Sequence, residues 1–353
     1  MLRRREANTS HPESSWCQPR AITMLPPLVR ILLRRVITVA NSKGGVGKTA
    51  ITANVGGLLA AAGLRVLLIG LDSQDNLGED LGYTYDQKSD DGQALLTAIL
   101  TGKPLEPTKG IRPNLDVVMA GEHTKELAWL LEQRRAAAST NEQREKVLNS
   151  LAISLAPIAE RYDVVLIDCP PMGDLLQEIA LAASRWLLIP TQADASSRKS
   201  VRLLAERYQV ALESNPTLGL LGIVLFATAS SGTKIRERAR RDIAADLGTA
   251  EPLFDAYIRW AQAPAIQARN AGLLVHELEQ EAADQPKWWE SLRLKVAGEE
   301  VATNVGQADE TEERVAGSVS SLAGDYQTLT QQIVTKLQHE EDVAAAAVGE
   351  GQA

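Results

Sequence analysis

The chain has 353 residues, 44% of them hydrophobic, enough to bury a full core in one large domain with appendages. Its net charge of -8 sits at the end: from Glu299 onward there are eleven acidic and two basic residues, and everything before them sums to +1. Overall acidity is therefore no argument against a nucleic-acid partner. Cys17 and Cys169 make no CxxC pair, and nothing points to a disulfide framework or a cysteine metal site, which fits a reducing cytoplasm.

Residues 1–29 are polar and punctuated by Pro12, Pro19, Pro26 and Pro27, and read as a flexible leader, with Met24 a second candidate start. Arg3, Arg4 and Arg5 precede no apolar h-region, so a secretory signal is not expected. Arg30, Arg34 and Arg35 break the apolar stretch from Met24 to Ala40, which excludes a spanning helix there. The main domain is expected over 30–296. Val36 to Asn41 reads as a buried strand, and Thr49 to Ala62 as a helix ended by Gly63.

Between them lies Lys43-Gly44-Gly45-Val46-Gly47-Lys48-Thr49. Strand, glycine turn and helix make a phosphate-binding loop, in which the amides from Lys43 to Ala50 close around an anion at a positive helix end. Lys48 would reach the β- and γ-phosphates of ATP, and the Thr49 hydroxyl would ligate Mg²⁺. Ser42 stands where the general loop pattern has its first glycine, and Lys43 is an extra lysine: this is the deviant form, KGGxGK[ST].

Further strands are expected at Val66–Leu71, Leu115–Ala120, Val164–Asp168, Trp186–Pro190 and Leu220–Phe226. Helical patterns cover about 92–101, 122–138, 141–161 and 197–213. Continuous apolar strands alternating with helices indicate a doubly wound α/β domain, with a mainly parallel sheet and ligands at the strand C-terminal ends. Asp72 and Asp168 follow two such strands, where hard oxygen donors suit Mg²⁺ and an attacking water. A stretch around Trp288 and Trp289 is amphipathic, and a linker is expected over 297–312. A C-terminal helix over 313–341 carries Val315, Val319, Leu322, Tyr326, Leu329, Ile333 and Leu337 on one stripe, expected to pack on the body. Residues 342–353 are expected to be a disordered tail.

KGGVGKT, VLLIGLDSQDN, YDVVLIDCPP and LLIPTQAD, in this order, resemble the ParA/MinD family of deviant Walker A ATPases, and most of all its ParA-type partition ATPases. The resemblance runs from about Arg35 to His276. It implies an ATP-dependent sandwich homodimer in which Lys43 of each subunit reaches the nucleotide of the other. Lys48 and Thr49 then hold phosphate and Mg²⁺, Asp72 orients the attacking water, and Asp168 supports Mg²⁺. It further implies cytoplasmic, nucleoid-associated action: non-specific DNA binding by the ATP dimer, and a centromere-binding, ParB-like partner that stimulates hydrolysis during plasmid or chromosome partition.

The chain departs from the family at two places. Gly70-Leu71-Asp72-Ser73-Gln74 lacks the first Asp and the Pro of Asp-x-Asp-Pro-Gln, and before Ala263-Pro264 only Arg259 of two family arginines remains. Lys234, Arg236 and Arg240, on a basic helical run, and Arg259 are the candidate DNA-phosphate contacts.

Three other readings stand beside this one. A MinD-like membrane ATPase would need a basic terminal helix, whereas Glu340, Glu341 and Asp342 are acidic, so no membrane partner is expected. An iron–sulfur carrier would need more cysteines. A non-hydrolysing protein switched by ATP fits the loss at Gly70 and Ser73.

Overall fold

Strands β1 (Val36–Val39), β2 (Val66–Gly70), β3 (Thr108–Arg112), β4 (Leu115–Val118), β5 (Val164–Asp168), β6 (Trp186–Thr191), β7 (Gly219–Thr228) and β8 (Leu253–Arg259) form one sheet, ordered β3-β4-β2-β5-β1-β6-β7-β8. The computed structural model describes residues 25–84, 89–171, 175–229, 232–247, 252–284 and 310–350. Every neighbouring pair is parallel except β3 with β4. β1, β2, β5 and β6 are buried along their whole length, as apolar runs covered on both faces should be.

Alternate residues feed two cores, one on each face of the sheet. Leu67, Ile69, Val165 and Ile167 point to one, Val66, Leu68, Val164 and Leu166 to the other. The first is covered by α1 (Pro27–Leu32), then by α4 (Gln93–Thr101) to α10 (Thr233–Leu247). The second is covered by α2 (Lys48–Ala61), α3 (Asn76–Leu81), α11 (Gln262–Ala271), α12 (Val275–Asp284) and α13 (Glu310–Glu350).

Several expected boundaries move. β3 is half exposed and polar, and β8 carries Asp255 and Arg259, so neither reads as a buried strand. The helix expected over 141–161 is two, α6 (Asn141–Leu148) and α7 (Ser150–Ala159). They are divided at Asn149, whose N–H bonds the Glu145 carbonyl at 2.8 Å and whose amide reaches the Glu145 carboxylate at 3.4 Å. The expected leader ends early: α1 begins at Pro27, a residue suited to a first turn, and Arg30 is buried. The Arg30 guanidinium donates to the carbonyls of Ala182 and, at 3.0 Å, Ser214, and burial pushes its pKa down to about 10. Residues 1–24, the stretch around Trp288 and Trp289, and 297–309 lie outside the described residues. Residues 310–312 belong to α13 rather than a linker, and α13 runs on to Glu350 through an alanine run of high helix propensity.

α13 packs on the body through Val319, Leu322, Tyr326, Leu329 and Ile333. It also finishes the sheet edge. Gln332 accepts from the Ala256 N–H at 3.0 Å and Asp325 from the Arg259 N–H at 2.9 Å, so β8 presents fewer open donors.

Asp75 begins α3 with φ 46° and is 9% exposed. It accepts from the Tyr83 hydroxyl at 2.8 Å and the Gly78 N–H at 3.3 Å, yet burial pushes its pKa up to about 7. The folded chain keeps a proton that the unfolded chain releases near pH 4, so stability falls as pH rises from about 4 to 7 and is level above. Asp75→Asn keeps the acceptor and the backbone conformation but carries no charge. It should stabilise by about 2–4 kcal/mol at pH 8 and by nothing at pH 4. Denaturant melts of both proteins at the two pH values check this; an equal difference at each would contradict it.

Candidate functional site

The loop between β1 and α2 closes because two glycines take left-handed conformations, Gly45 with φ 70° and Gly47 with φ 88°. Gly47 has a second reason to lack a side chain: a Cβ there would lie 2.3 Å from the Phe226 ring. Val46 plugs the loop into the core. Asn41 pins it to β6, donating to the Pro190 carbonyl at 2.7 Å and accepting from the Lys43 N–H at 3.0 Å.

The two lysines point to different places. Lys48 is buried, donates to the Lys43 carbonyl at 3.2 Å, and has its pKa lowered by burial, with Asp168 opposing that shift. Lys43 is turned outward: its ammonium bonds Asp194 at 2.8 Å and Gln192 at 3.1 Å, and Gln192 donates to the Gly45 carbonyl at 3.1 Å. Gln192 and Asp194 lie in the motif at the end of β6, but sequence reasoning assigned them no role.

Thr49 donates to Asp168 Oδ2 at 2.7 Å. Burial pushes the Asp168 pKa up to about 7; Thr49 and Lys48 work against that shift, while Asp72 and Asp80 add to it. Asp168 Oδ1 is buried with no hydrogen-bond partner. A hydroxyl beside a carboxylate with an unused oxygen fits Mg²⁺, which takes few protein ligands and completes its shell with phosphate and water. Asp72 follows β2, is half-buried, and accepts from the Gln74 N–H at 3.1 Å. At Gly70 a Cβ would lie 3.1 Å from the Ala120 Cβ and 3.3 Å from its N, so the acid usual in relatives has little room here.

These groups open on one cavity of about 510 Å³. Gly44, Gly45, Gly47, Lys48, Thr49, Ala50 and Asp72 line it, whereas Lys43, Val46 and Asp168 do not. Phe226, Ile258, Trp260 and Ile266 form an apolar wall, and α13 contributes Leu322 and Tyr326. That a helix some 270 residues beyond the loop lines the same cavity had no signal beyond its apolar stripe.

The four expected DNA contacts are scattered in environment. Lys234 is exposed on α10. Arg236 stacks over the Tyr257 ring at 4.1 Å, and Arg240 bonds Asp255 at 2.9 Å and the Phe254 carbonyl. Arg259 gives both arms of its guanidinium to Asp325, each at 2.7 Å, and that pair is largely buried.

A family described as an AAA domain matches residues 34–220, more than half of the chain. The chromosome partitioning protein ParA of Myxococcus xanthus is 32% identical over 197 residues, covering 54% of this chain and 64% of that protein, so the chain spans just under two thirds of that relative. The chromosome partitioning protein ParA of Caulobacter vibrioides is 30% identical over 228 residues, covering 64% and 80%. In fold, the chain is similar to a Cyanothece McdA variant solved in complex with ATP, with TM-score 0.56, 21% identity, and coverage of 77% and 99%. No helix among the described residues is long and apolar enough to cross a membrane. With the family match over the glycine loop and four fifths of a ParA covered at 30% identity, the chain belongs to the ParA-type family of deviant Walker A P-loop ATPases.

Proposed function

We propose that this protein hydrolyses ATP with Mg²⁺ and cycles between a monomer and an ATP-bound sandwich dimer. The dimer binds DNA without sequence preference and, with a centromere-binding ParB-like partner, moves a plasmid or chromosome. The observation that carries this reading is the division of labour between two lysines of one loop. Lys48 lies in the cavity beside Thr49, while Lys43 sits outside it, 26% exposed, in an ion pair with Asp194. Such a half-exposed pair costs about 1 kcal/mol or less to open. Opening its contacts with Asp194 and Gln192 would let Lys43 reach the nucleotide of a second subunit.

In this mechanism the loop amides and Lys48 hold the phosphates, and Thr49 and Asp168 would hold Mg²⁺. The ion, when bound, offsets phosphate charge and fixes the phosphate oxygens. Asp72 orients the water. α10 supplies the DNA surface through exposed Lys234, with Arg236 and Arg240 joining it once a phosphate draws them from Tyr257 and Asp255, because cations on one helix can each neutralise a phosphate. Arg259 joins them only if a phosphate displaces Asp325.

The test compares wild type with Asp72→Ala in phosphate release, in size-exclusion chromatography with ATP, and in filter binding to two unrelated duplexes at several salt concentrations. The wild type should bind both duplexes with ATP and not with ADP, less tightly as salt rises. Asp72→Ala should still dimerise and hold DNA while hydrolysis falls at least ~100-fold. DNA binding that ignores the nucleotide would reject the switch, and a variant that hydrolyses at the wild-type rate would move the water-orienting role elsewhere.

A further inference from the structure

Three aromatic rings line the nucleotide cavity, Phe226, Trp260 and Tyr326, and none has a part in the mechanism above. Trp260 follows β8, lines the same cavity as Gly47, Lys48 and Thr49, and is 61% exposed. Its backbone is held firmly: its N–H donates to the Thr228 carbonyl at 2.9 Å, and the preceding Arg259 is clamped by Asp325. Its indole makes no hydrogen bond or cation–π contact among the described residues. A rigid stem therefore carries an uncovered ring, an arrangement that costs hydrophobic free energy until something flat and apolar lies on it.

The cavity has a direction. At the loop end are glycine amides, Lys48, Thr49 and Asp72, which suit anionic oxygens. Its apolar wall has Ile258, Ile266 and the three aromatic rings. Phe226 already packs against Gly47 and Tyr326 is buried, so Trp260 is the ring left open. With its phosphates on the loop, a nucleotide gains most by laying the flat, weakly polar faces of its base along the apolar wall.

We propose that Trp260 is the platform on which the base of the bound nucleotide stacks, which makes it a base-binding residue of this chain. This deepens the nucleotide reading given above and rests on it. Stacking uses the π-face of the base and no edge hydrogen bonds, so it holds any purine about equally and favours a nucleotide over a bare polyphosphate.

The experiment measures dissociation constants of ATP, GTP and inorganic tripolyphosphate for the full chain and for Trp260→Ala and Trp260→Phe, with thermal melts to confirm folding. Alanine should weaken ATP and GTP about tenfold each and leave tripolyphosphate unchanged, and phenylalanine should restore most of the loss. Unchanged ATP affinity in Trp260→Ala would overturn the proposal. So would an equal loss for tripolyphosphate, since the residue would then act at the phosphate end. A wild type that binds neither ATP nor tripolyphosphate would overturn the nucleotide reading itself.

Discussion

Lys48→Ala is expected to remove ATP binding, and with it dimerisation and DNA association. Lys48 is the only lysine of the loop that lines the cavity. Two carboxylates, Asp168 and Asp72, act on its charge. Without the ammonium, a triphosphate would face those acids with no cationic side chain of its own subunit to hold it. Losing a charge-assisted contact and adding that repulsion should cost about 3–4 kcal/mol, or several hundredfold in affinity. Lys43 does not stand in for it within the same subunit, because its amine lies outside the cavity on Gln192 and Asp194. The fold should survive, since Asp168, with a pKa of about 7, can take up a proton when its cationic neighbour is lost. Titration calorimetry checks the affinity and circular dichroism the fold; ATP affinity within a few-fold of wild type would refute the assignment of the loop.

Asp325→Ala is expected to be the most destabilising single change on the α13 side. Asp325 is buried and accepts three hydrogen bonds from Arg259, two from the guanidinium and one from the backbone N–H. Removing it leaves a partly buried guanidinium and a strand-edge donor without their acceptor. Breaking one side of such a pair costs about 3–5 kcal/mol. The damage should reach the cavity, because Leu322 and Tyr326 flank Asp325 on α13 and line it, so ATP affinity should fall as well. A double-mutant cycle with Arg259→Ala, followed by urea melts, separates the pair from general packing. A coupling energy near zero would show that α13 is held by its apolar stripe alone. The same cycle bears on DNA: if Arg259 can serve as a phosphate contact, freeing it from Asp325 should steepen the salt dependence of binding by about one per subunit.

The amino-acid sequence alone determined the centre of this molecule. The loop from Lys43 to Thr49 is legible because a tight turn from strand to helix requires consecutive residues with glycine at its left-handed positions. The inner strands are legible because burial on both faces demands unbroken apolar runs, and Asp72 and Asp168 because they follow those runs directly. The edges were not legible in the same way. β3 and β8 are edge strands with polar residues on one side, so their patterns resemble loops. Only the tertiary structure decided what surrounds the loop. Lys43 meets Asp194 across 151 residues and Arg259 meets Asp325 across 66, and neither pairing leaves a local pattern. The sheet crossovers bring the ends of β7 and β8 together with α11 and α13 to wall the cavity, placing Phe226 on Gly47 and leaving Trp260 open. A phosphate site can be written in one short segment, but a wall that selects and covers the rest of the ligand is assembled from segments that meet only when the chain has folded.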